Sequence, residues 1–446
     1  MQLPQDFVDR MKTQLGAEAD AFFHALEQPA PTSIRLNHFK GKTNFDHLEK
    51  VLWCNEGFYL TERPAFYMDP HWHGGAYYVQ EASSMILDYV LKKLSLDEKP
   101  RIWLDVCAAP GGKTGILAKH KKDSDVLVAN EVVPQRNSIL RENMIKGGYL
   151  NTFISSEQAS SFKEPFADII LIDAPCAGEG MMRKDAEAIR QWSPGLVRDC
   201  SLMQQRIVND AVRSLNPDGY LIYSTCSFSQ VENIKNIERF VMAHDLQSVQ
   251  IDFPEIWKIE ITESDKATGY QLYPHRVNGE GLFISILKKA NAIEETSSGL
   301  KQKKSAFHEA PEWLREKLGG SQYMIYHNDD RLAFITKNAE AKANEVMYHL
   351  PSTRLISHAG ELKGKDFIPD HFLAMSTPGI EFAQKIDLSL TQSLDFLERS
   401  TQFISADYQS GWYIIEYDET TLGWAKKTPQ GWKNHYPLNW RLRSRK

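Results

Sequence analysis

The sequence is poor in cysteine and has no long apolar run. Its five cysteines among 446 residues are an odd number without paired spacing, which excludes a disulfide framework and indicates reduced thiols in a cytoplasm. No apolar run reaches the length of a membrane span. Residues 1–7 lack the basic region and apolar core of a signal peptide, so we expect none. The sequence thus predicts a cytoplasmic protein with no membrane partner.

An excess of positive charge is also missing. The formal net charge is -6 at pH 7, so a nucleic-acid binder of this composition must concentrate its basic residues locally. No Cys-x-x-Cys pair occurs, and Cys176 and Cys226 lie far apart without an obvious histidine partner, so we expect no metal. The content of 42% hydrophobic and 25% charged residues is typical of a globular protein, and the length predicts two or three domains.

Residues 105–114 read Asp-Val-Cys-Ala-Ala-Pro-Gly-Gly-Lys-Thr and predict a turn between a strand and a helix. Glycines let the backbone approach a ligand, and the free amides of a helix N-terminus face it. A second apolar run, 126–129, is followed by Asn130 and Glu131, the place where a doubly wound fold binds ribose hydroxyls. The turn matches neither a P-loop nor the full dinucleotide fingerprint, and a tight turn without a ligand is the alternative.

Strands and helices alternate between residues 100 and 290. This alternation predicts a mostly parallel sheet covered on both faces, with ligands at the carboxyl ends of its strands. Three chemical clusters fall at those ends, at residues 107–114, 173–180 and 224–227. The predicted strands are 101–106, 125–130, 152–155, 168–173, 220–224 and 281–287, and the predicted helices lie near 113–120, 134–146, 185–191, 196–214 and 230–243.

Each of these clusters contains a cysteine, and those of the second and third clusters, Cys176 and Cys226, are candidate reactive groups. Cys176 lies in a polar, glycine-rich turn where packing has little use for a thiol, although a small buried apolar residue is the alternative. Ser229 and Glu232 have the spacing of a capping box, which predicts a helix start. Cys226 would then precede a helix N-terminus, where the pKa of a thiol is lowered and a thiolate can attack.

Two cysteines and Asp173 at adjacent strand ends, beside a nucleoside-type site, fit the methylation of carbon 5 of a pyrimidine. A cysteine that adds to carbon 6 makes carbon 5 nucleophilic, and an acid near ring nitrogen 3 stabilises the adduct. S-adenosylmethionine would supply the methyl group, and its ribose suits Glu131. The base must be single-stranded or flipped from its stack.

At these residues the sequence resembles the Nol/Nop/Sun-type RNA cytosine-5 methyltransferases. The whole layout is similar to the bacterial RsmF type, which methylates small-subunit rRNA. The motifs that carry the resemblance are residues 107–113, 173–176 and 225–227, together with Tyr-Tyr-Val-Gln-Glu-Ala-Ser-Ser-Met at 77–85, Tyr-Pro-His at 273–275 and Gly-Glu-Gly-Leu-Phe at 279–283.

The resemblance implies an α/β fold. It consists of a Rossmann-like S-adenosylmethionine-dependent methyltransferase core, a small N-terminal accessory domain that contacts RNA, and a C-terminal α+β PUA-like RNA-binding region. We predict the accessory domain at 1–95, the methyltransferase domain at 96–290 and the C-terminal region at 307–446. The linker at 291–306 is polar and poor in large apolar side chains.

The resemblance also implies roles for single residues. Cys226 would be the nucleophile, Cys176 would assist product release, and Asp173 would contact both the cytosine and the cofactor region. Many relatives carry an acidic residue after the third strand, where this chain reads Ser-Ser-Glu-Gln at 155–158, so Glu157 is left unassigned. The residues expected to hold S-adenosylmethionine are Cys107, Ala108, Ala109, Pro110, Gly111, Gly112, Lys113, Glu131 and Asp173.

Aromatic and basic residues interleave at the C-terminus, which predicts stacking and phosphate contacts with RNA; a buried aromatic core with a solvated basic tail is the alternative. These residues are Trp432, Lys433, Tyr436, Trp440, Arg441, Arg443, Arg445 and Lys446. We therefore expect a monomer that methylates carbon 5 of cytosine in small-subunit (16S) rRNA. The alternatives are a non-catalytic RNA-binding ribosome-assembly factor and methyltransferases that act on tRNA, DNA or a small molecule.

Overall fold

The computed structural model describes residues 2–40, 45, 47–94, 96–290, 305–328, 331–364, 366–376, 383–404, 408–443 and 445. Most of the predicted linker, residues 291–304, lies outside the described residues, as does Lys446. Among the helices in these ranges, we find none with the length and apolar character needed to cross a membrane.

The N-terminal part combines a helix pair with a small antiparallel sheet. Two N-terminal helices, α1 (Gln5–Leu15) and α2 (Ala19–Glu27), bury the apolar side chains of Phe7, Met11, Phe22 and Leu26. The strand order is β2-β1-β3. The elements are α1 (Gln5–Leu15), α2 (Ala19–Glu27), β1 (Thr32–Leu36), β2 (Gly57–Leu60), α3 (Pro70–His73), β3 (Tyr77–Val79) and α4 (Ile86–Lys93), which leads into the core.

The central part has the predicted alternation, and each predicted strand and helix has a counterpart. The helix predicted near residue 230 begins later, at Ile234. The elements are β4 (Ile102–Asp105), α5 (Gly112–His120), β5 (Val126–Asn130), α6 (Pro134–Gly147), β6 (Thr152–Ser155), β7 (Ala167–Asp173), α7 (Ala186–Gln191), α8 (Pro194–Ala211), β8 (Leu215–Thr225), α9 (Ile234–Ala243), β9 (Leu246–Ser248), β10 (Glu260–Glu263), β11 (Thr268–Leu272) and β12 (Leu282–Lys289).

The order of these strands places a crevice at one edge of the sheet. From β10 the order runs β10-β11-β12-β8-β7-β4-β5-β6, with β8, β7, β4, β5 and β6 parallel and β12 antiparallel to β8. Along β4, Trp103 packs into the core on one face, while Ile102 and Leu104 pack into the core on the other. The chain leaves β4 towards β5 on one side and returns to β7 on the other. Ligands bind outside the carboxyl ends of the strands at such a switch point.

The C-terminal part forms two further sheets, with strand orders β13-β14-β15-β17-β18 and β19-β20-β21-β22. One of its strands, β16, pairs antiparallel with β6 and so extends the central sheet. The elements are β13 (His308–Glu309), α10 (Glu312–Leu318), β14 (Tyr323–Asn328), β15 (Arg331–Thr336), α11 (Glu340–His349), β16 (Arg354–Leu355), β17 (His358–Lys363), β18 (Asp366–Pro369), α12 (His371–Met375), β19 (Gln384–Asp387), α13 (Leu390–Leu397), β20 (Gly411–Tyr417), β21 (Thr420–Thr428) and β22 (Gly431–Asn434).

The aromatic residues near the C-terminus are core residues. Trp432 and Tyr436 are 7% and 1% exposed and belong to one apolar cluster, so the prediction that they stack on RNA is wrong. Trp440 is partly buried, with its ring centroid 5.0 Å from that of His371. Arg441 and Arg443 remain exposed, which agrees with the alternative of a solvated basic tail.

Candidate active site

A cavity of about 360 Å³ opens at the carboxyl ends of β4, β7 and β8. Its size lies within the range of small-molecule sites. The three predicted clusters all contribute to it, so residues far apart in the sequence meet here as expected. The residues lining it include Tyr78, Gln80, Glu81, Asp105, Cys107, Ala108, Ala109, Pro110, Gly112, Lys113, Asp173, Lys184, Cys226 and Glu280.

Lys113 and Asp173 form an ion pair in the cavity wall. The Lys113 Nζ atom lies 2.8 Å from Asp173 Oδ2, and the Ser224 hydroxyl donates to Asp173 Oδ1 at 2.8 Å. Burial opposes the charge of Lys113, but the charge of Asp173 and its hydrogen bond outweigh burial and raise the pKa of this lysine. Both carboxylate oxygens therefore have fixed partners, and Asp173 is held in one orientation at the end of β7.

Asp105, at the end of β4, is a lining residue that we did not predict. Thr114 Oγ1 donates to its Oδ2 at 2.7 Å, while its Oδ1 is buried without a partner among the described residues. Burial raises the pKa of Asp105 to about 7. A buried acceptor without a partner is destabilising, so this atom is suited to a ligand that donates a hydrogen bond.

The glycine-rich turn is packed closely against its neighbours. Gly111 has φ +112°, a conformation that favours glycine, and directly precedes α5. A Cβ atom on Gly112 would lie 3.1 Å from Cε1 of Tyr78. Arg35 is buried and donates to Gly112 O at 3.2 Å and to Gln80 Oε1 at 2.8 Å. The N-terminal sheet thus supports the turn directly.

Glu131 lies just after β5, as predicted, but it is not among the lining residues of the cavity in the described chain. Its Oε1 accepts from Val133 N at 2.9 Å, and its Oε2 lies 3.4 Å from Arg136 Nη1. Arg136 also donates to Ala109 O at 2.7 Å. Glu131 is therefore connected to the turn through Arg136, and its role as a ribose ligand stays a prediction.

The structure brings Cys176 and Cys226 into contact, with their Sγ atoms 3.0 Å apart. The hydrogen bond with Cys226, and secondly burial, raise the pKa of Cys176, so this thiol keeps its proton. Among the described residues that line the cavity, Cys226 is present and Cys176 is absent. Cys226 is thus the residue of this pair that lines the cavity. Cys107 also lines it, but burial raises the pKa of that thiol.

The capping box predicted at Ser229 and Glu232 is wrong. The Glu232 carboxylate accepts from Ala177 N at 2.9 Å and from the Ser227 hydroxyl at 2.6 Å, so it connects the two cysteine-containing loops. Because α9 begins at Ile234, Cys226 does not directly precede a helix N-terminus. Burial raises the pKa of Glu232 to about 7. Ser229 and Glu232 thus have the spacing of a capping box, but the Glu232 side chain bonds to Ala177 and Ser227 instead of capping a helix.

Two basic residues, Arg183 and Lys184, follow the Cys176 loop, and both have fixed partners. Arg183 donates to the carbonyls of Gln28 and Gly279 at 2.9 and 3.0 Å, which fixes its guanidinium. Lys184 pairs with Glu280 at 2.6 Å on the cavity wall. These contacts give Arg183 a structural role. The pairing of Lys184 with Glu280 could not be predicted from the sequence, because the two residues are far apart in it.

Three family models match the chain. They are described as 16S rRNA methyltransferase RsmB/F over residues 91–288, the N-terminal domain of 16S rRNA methyltransferase RsmF over residues 3–82, and the methyltransferase RsmF PUA domain over residues 383–442. In all three parts the chain is similar to these 16S rRNA methyltransferases. The predicted resemblance, the α/β fold class with a C-terminal PUA domain and the prediction of a methyltransferase enzyme are thereby confirmed.

Single relatives agree with this similarity. The chain is 26% identical over 466 residues to ribosomal RNA small subunit methyltransferase F of Erwinia tasmaniensis, covering 97% of this chain and 96% of the relative. A methyltransferase homolog protein from Pyrococcus horikoshii aligns with a TM-score of 0.53 and 28% identity over 64% of this chain and 95% of that one. NSun6 from the same organism, solved with SFG, aligns with a TM-score of 0.52 over 65% of this chain and 99% of that one; at 18% identity it supports the fold alone.

Proposed function

We propose that this chain transfers a methyl group from S-adenosylmethionine to carbon 5 of cytosine in small-subunit (16S) rRNA. The observation that carries the proposal is the pair of sulfur atoms of Cys226 and Cys176, 3.0 Å apart, with Cys226 lining the cavity. A buried structural cysteine would have no reason to line a polar cavity beside Asp173 and Lys113. A covalent mechanism at a pyrimidine requires a nucleophile in this position.

Cys226 would act as the nucleophile. Its sulfur would form a bond to carbon 6 of the cytosine, and the electron pair displaced to carbon 5 would form the bond to the methyl group. The bond between that methyl group and the sulfonium sulfur of the donor would break, so the demethylated donor would leave as a neutral thioether. Asp173, fixed by Lys113 and Ser224, would contact the ring near nitrogen 3 and stabilise the adduct. A base then takes the proton from carbon 5, and the bond between sulfur and carbon 6 breaks. Cys176, next to Cys226, would assist this release.

The residues at the cavity fit S-adenosylmethionine, which would supply the electrophilic methyl group. Oδ1 of Asp105, which has no partner in the described part of the chain, suits an ammonium group, and the glycine-rich turn leaves room for a ligand close to the backbone. Cys107, Ala108, Ala109, Pro110, Gly111, Gly112 and Lys113 would surround the donor, Asp173 would border it, and Glu131 would bind its ribose.

The substrate proposal draws on the family and on the C-terminal PUA domain. The relative from Erwinia tasmaniensis is named for the small ribosomal subunit, and we propose the same RNA class for this chain. We further propose that the protein acts as a monomer in the cytoplasm, because an enzyme that docks on a large RNA needs no second copy. A cytosine within a duplex would have to be flipped to reach Cys226.

The test uses the Cys176→Ala variant, mixed with S-adenosylmethionine and small-subunit rRNA or subunits. Because this variant lacks the thiol proposed to assist release, it should accumulate the covalent adduct. We expect a shifted, RNase-sensitive protein band on a denaturing gel for Cys176→Ala. The band should be absent from the wild type and from the Cys176→Ala/Cys226→Ala double variant.

The other outcomes are equally informative. If Cys226→Ala traps the adduct instead, the roles of the two cysteines are reversed. If neither variant traps an adduct while the wild type methylates rRNA, the covalent mechanism is wrong. If wild-type protein methylates tRNA but neither rRNA nor subunits, the proposed substrate is wrong. If it methylates no RNA and still binds rRNA, the alternative of a non-catalytic assembly factor is favoured.

A further inference from the structure

Two buried glutamates connect the loops that contain the cysteines, and they do so reciprocally. Glu179 follows Cys176, and its Oε2 accepts from Phe228 N, in the Cys226 loop, at 2.8 Å. Glu232 follows Cys226, and its Oε1 accepts from Ala177 N, in the Cys176 loop, at 2.9 Å. Both side chains are fully buried. Each loop therefore provides a carboxylate that holds the backbone of the other.

Further hydrogen bonds complete the same contact. Ser227, next to Cys226, donates its hydroxyl to Glu232 Oε2 at 2.6 Å. Gln204 Nε2, from α8, donates to Glu232 Oε1 at 3.0 Å. Gly180 N donates to Cys226 O at 2.8 Å. Several hydrogen bonds thus fix the two cysteine-containing loops relative to each other. Those that a carboxylate accepts are charge-assisted, and such bonds are stronger than neutral ones, above all when they are buried.

Helix α1 reaches this contact through Arg10. Its Nη1 lies 2.8 Å from Glu179 Oε1, which also accepts from Trp192 Nε1 at 2.8 Å. Gln14, one turn further along α1, donates to Phe228 O at 3.0 Å. The N-terminal helix therefore contacts the Cys176 loop through Glu179 and the Cys226 loop through Phe228.

Two neighbouring buried carboxylates contribute little to the free energy of folding, because their desolvation opposes it. Burial of a carboxylate is unfavourable, and apolar residues of similar volume often stabilise a protein as well or better. The carboxylates instead fix the relative position of the two loops, because each accepts from a specific backbone N–H group of the other loop. Reacting groups must be held to within a fraction of an ångström, and a shift of about 1 Å can lower a rate about a hundredfold.

We propose that Glu179 and Glu232 are positioning residues that set the distance between the Cys176 and Cys226 thiols, and that Arg10 links helix α1 to this arrangement. The proposal rests on the proposed function in that these two thiols are taken as the reacting groups. Neither glutamate is assigned a proton-transfer step. Helix α1 then helps to hold the two cysteines in position, in addition to packing beside the methyltransferase core.

The experiment measures the distance between the thiols without relying on methyl transfer. Diamide, a diazene, takes two electrons and two protons from a pair of thiols and leaves a disulfide. The rate at which the Cys176–Cys226 disulfide forms in the full-length protein is followed by mass spectrometry of the linked peptides. The same preparations are assayed for the kcat and KM of rRNA methylation and for their melting temperature.

The variants separate hydrogen bonding from charge. Glu232→Gln keeps a carbonyl oxygen for Ala177 N and an amide that can donate to the Ser227 hydroxyl, so it should retain most of the disulfide-formation rate and of kcat. Glu232→Ala removes both contacts and should slow disulfide formation and lower kcat about a hundredfold with KM little changed. Glu187→Gln is the control, because Glu187 is exposed and its side chain accepts from Arg190 and Gln191 of its own helix.

Two further variants test the remaining parts. Arg10→Gln should slow disulfide formation, and an unchanged rate would overturn the link to α1. Should Glu232→Ala fail to fold, Ser227→Ala, which removes one hydroxyl bonded to Glu232, takes its place with the same expected direction.

The proposal fails if the alanine variant forms the disulfide at the wild-type rate. It also fails if Glu232→Gln loses kcat as completely as Glu232→Ala does, because a titrating role would then explain Glu232. The disulfide rates can follow the expected order while neither the wild type nor any variant methylates rRNA. In that case the proposed function fails and the positioning role remains.

Discussion

Lys113 Nζ and Asp173 Oδ2 lie 2.8 Å apart, although the two residues come from the first turn of α5 and the last position of β7. The chain between them forms two other strands of the sheet, on the far side of β4. Their contact thus spans the switch point of the sheet. It joins the glycine-rich turn expected to hold the methyl donor to the carboxylate expected to contact the base. Lys113 can therefore influence both halves of the reaction.

Replacement of Lys113 by methionine should impair methylation strongly. The variant keeps most of the side-chain volume but leaves Asp173 Oδ2 without its cation, so the carboxylate is no longer held in one orientation. We expect kcat/KM for rRNA methylation to fall about 10²–10³-fold, the usual effect of removing one preorganised electrostatic partner. Lys122→Met is the control, because Lys122 pairs with an exposed carboxylate of Glu98 away from the cavity. An unchanged kcat/KM in Lys113→Met would remove the ion pair from the mechanism.

Asp105 should give the folded protein a measurable pH dependence. Its pKa is raised by burial to about 7, whereas an aspartate in the unfolded chain titrates near pH 4. Between these values the folded state binds the extra proton, so this residue's contribution to stability is greatest at low pH and is lost as pH rises towards 7.

The variant Asp105→Asn has no titratable group at this position, so its unfolding free energy lacks this pH dependence. The unfolding free energy of the wild type minus that of the variant should therefore decrease steadily from about pH 4 to about pH 7, as measured by urea unfolding. Asp265→Asn serves as the control, because Asp265 is exposed. A difference that stays constant over this range would show that Asp105 titrates normally in the folded protein.

The parts of the site that sequence reasoning found share one property: they follow from local pattern and strand order. Asp173 and Cys226 were placed together because each follows an apolar strand, and parallel strands end at the same edge of a sheet. The glycine-rich turn was found for the same reason. The parallel core strands and the helices that cover them could be predicted because apolar runs and helical periodicity are local signals.

The parts it missed depend on contacts between distant residues. Glu232 has the spacing of a capping box, yet its acceptors are used by Ala177 and Ser227, which no local rule could indicate. Arg35 looks like a surface charge until the N-terminal sheet covers the turn at Gly112. The pairing of β16 with β6 brings together segments some 200 residues apart in sequence, and a two-residue strand has no periodicity to detect.

The exposed arginines at the C-terminus should contribute to RNA affinity, whereas the buried aromatics should not. The double variant Arg441→Ala/Arg443→Ala removes two cations that can neutralise phosphates. We expect weaker binding to rRNA at fixed salt and a salt dependence of log K that is shallower by up to about 2 units. Tyr436→Phe is the comparison, because its hydroxyl is buried next to His73 Nδ1, 3.2 Å away, and cannot reach RNA. Equal affinities and slopes for wild type and double variant would place the RNA contacts elsewhere.

Gly180→Ala should lower kcat strongly while it lowers the folding stability only moderately. A Cβ atom at this position would lie 3.0 Å from both Cys226 O and Glu280 O, and backbone oxygens cannot rotate away as a flexible side chain could. The Cys226 loop must therefore move by a few tenths of an ångström or more. Overpacking of this kind costs about 1–3 kcal/mol of folding free energy. A displaced nucleophile lowers kcat further, by up to about a hundredfold.

Gly195→Ala provides the matched control, because its nearest contact would be 3.5 Å away, an ordinary van der Waals distance, and α8 accepts alanine there. Activity and melting temperature are measured side by side for both variants. If Gly180→Ala lowers the melting temperature but keeps the wild-type kcat once folded, the Cys226 loop tolerates displacement. The position of the cysteine sulfur would then be set by the substrate rather than by the packing of residues 176–180 against it.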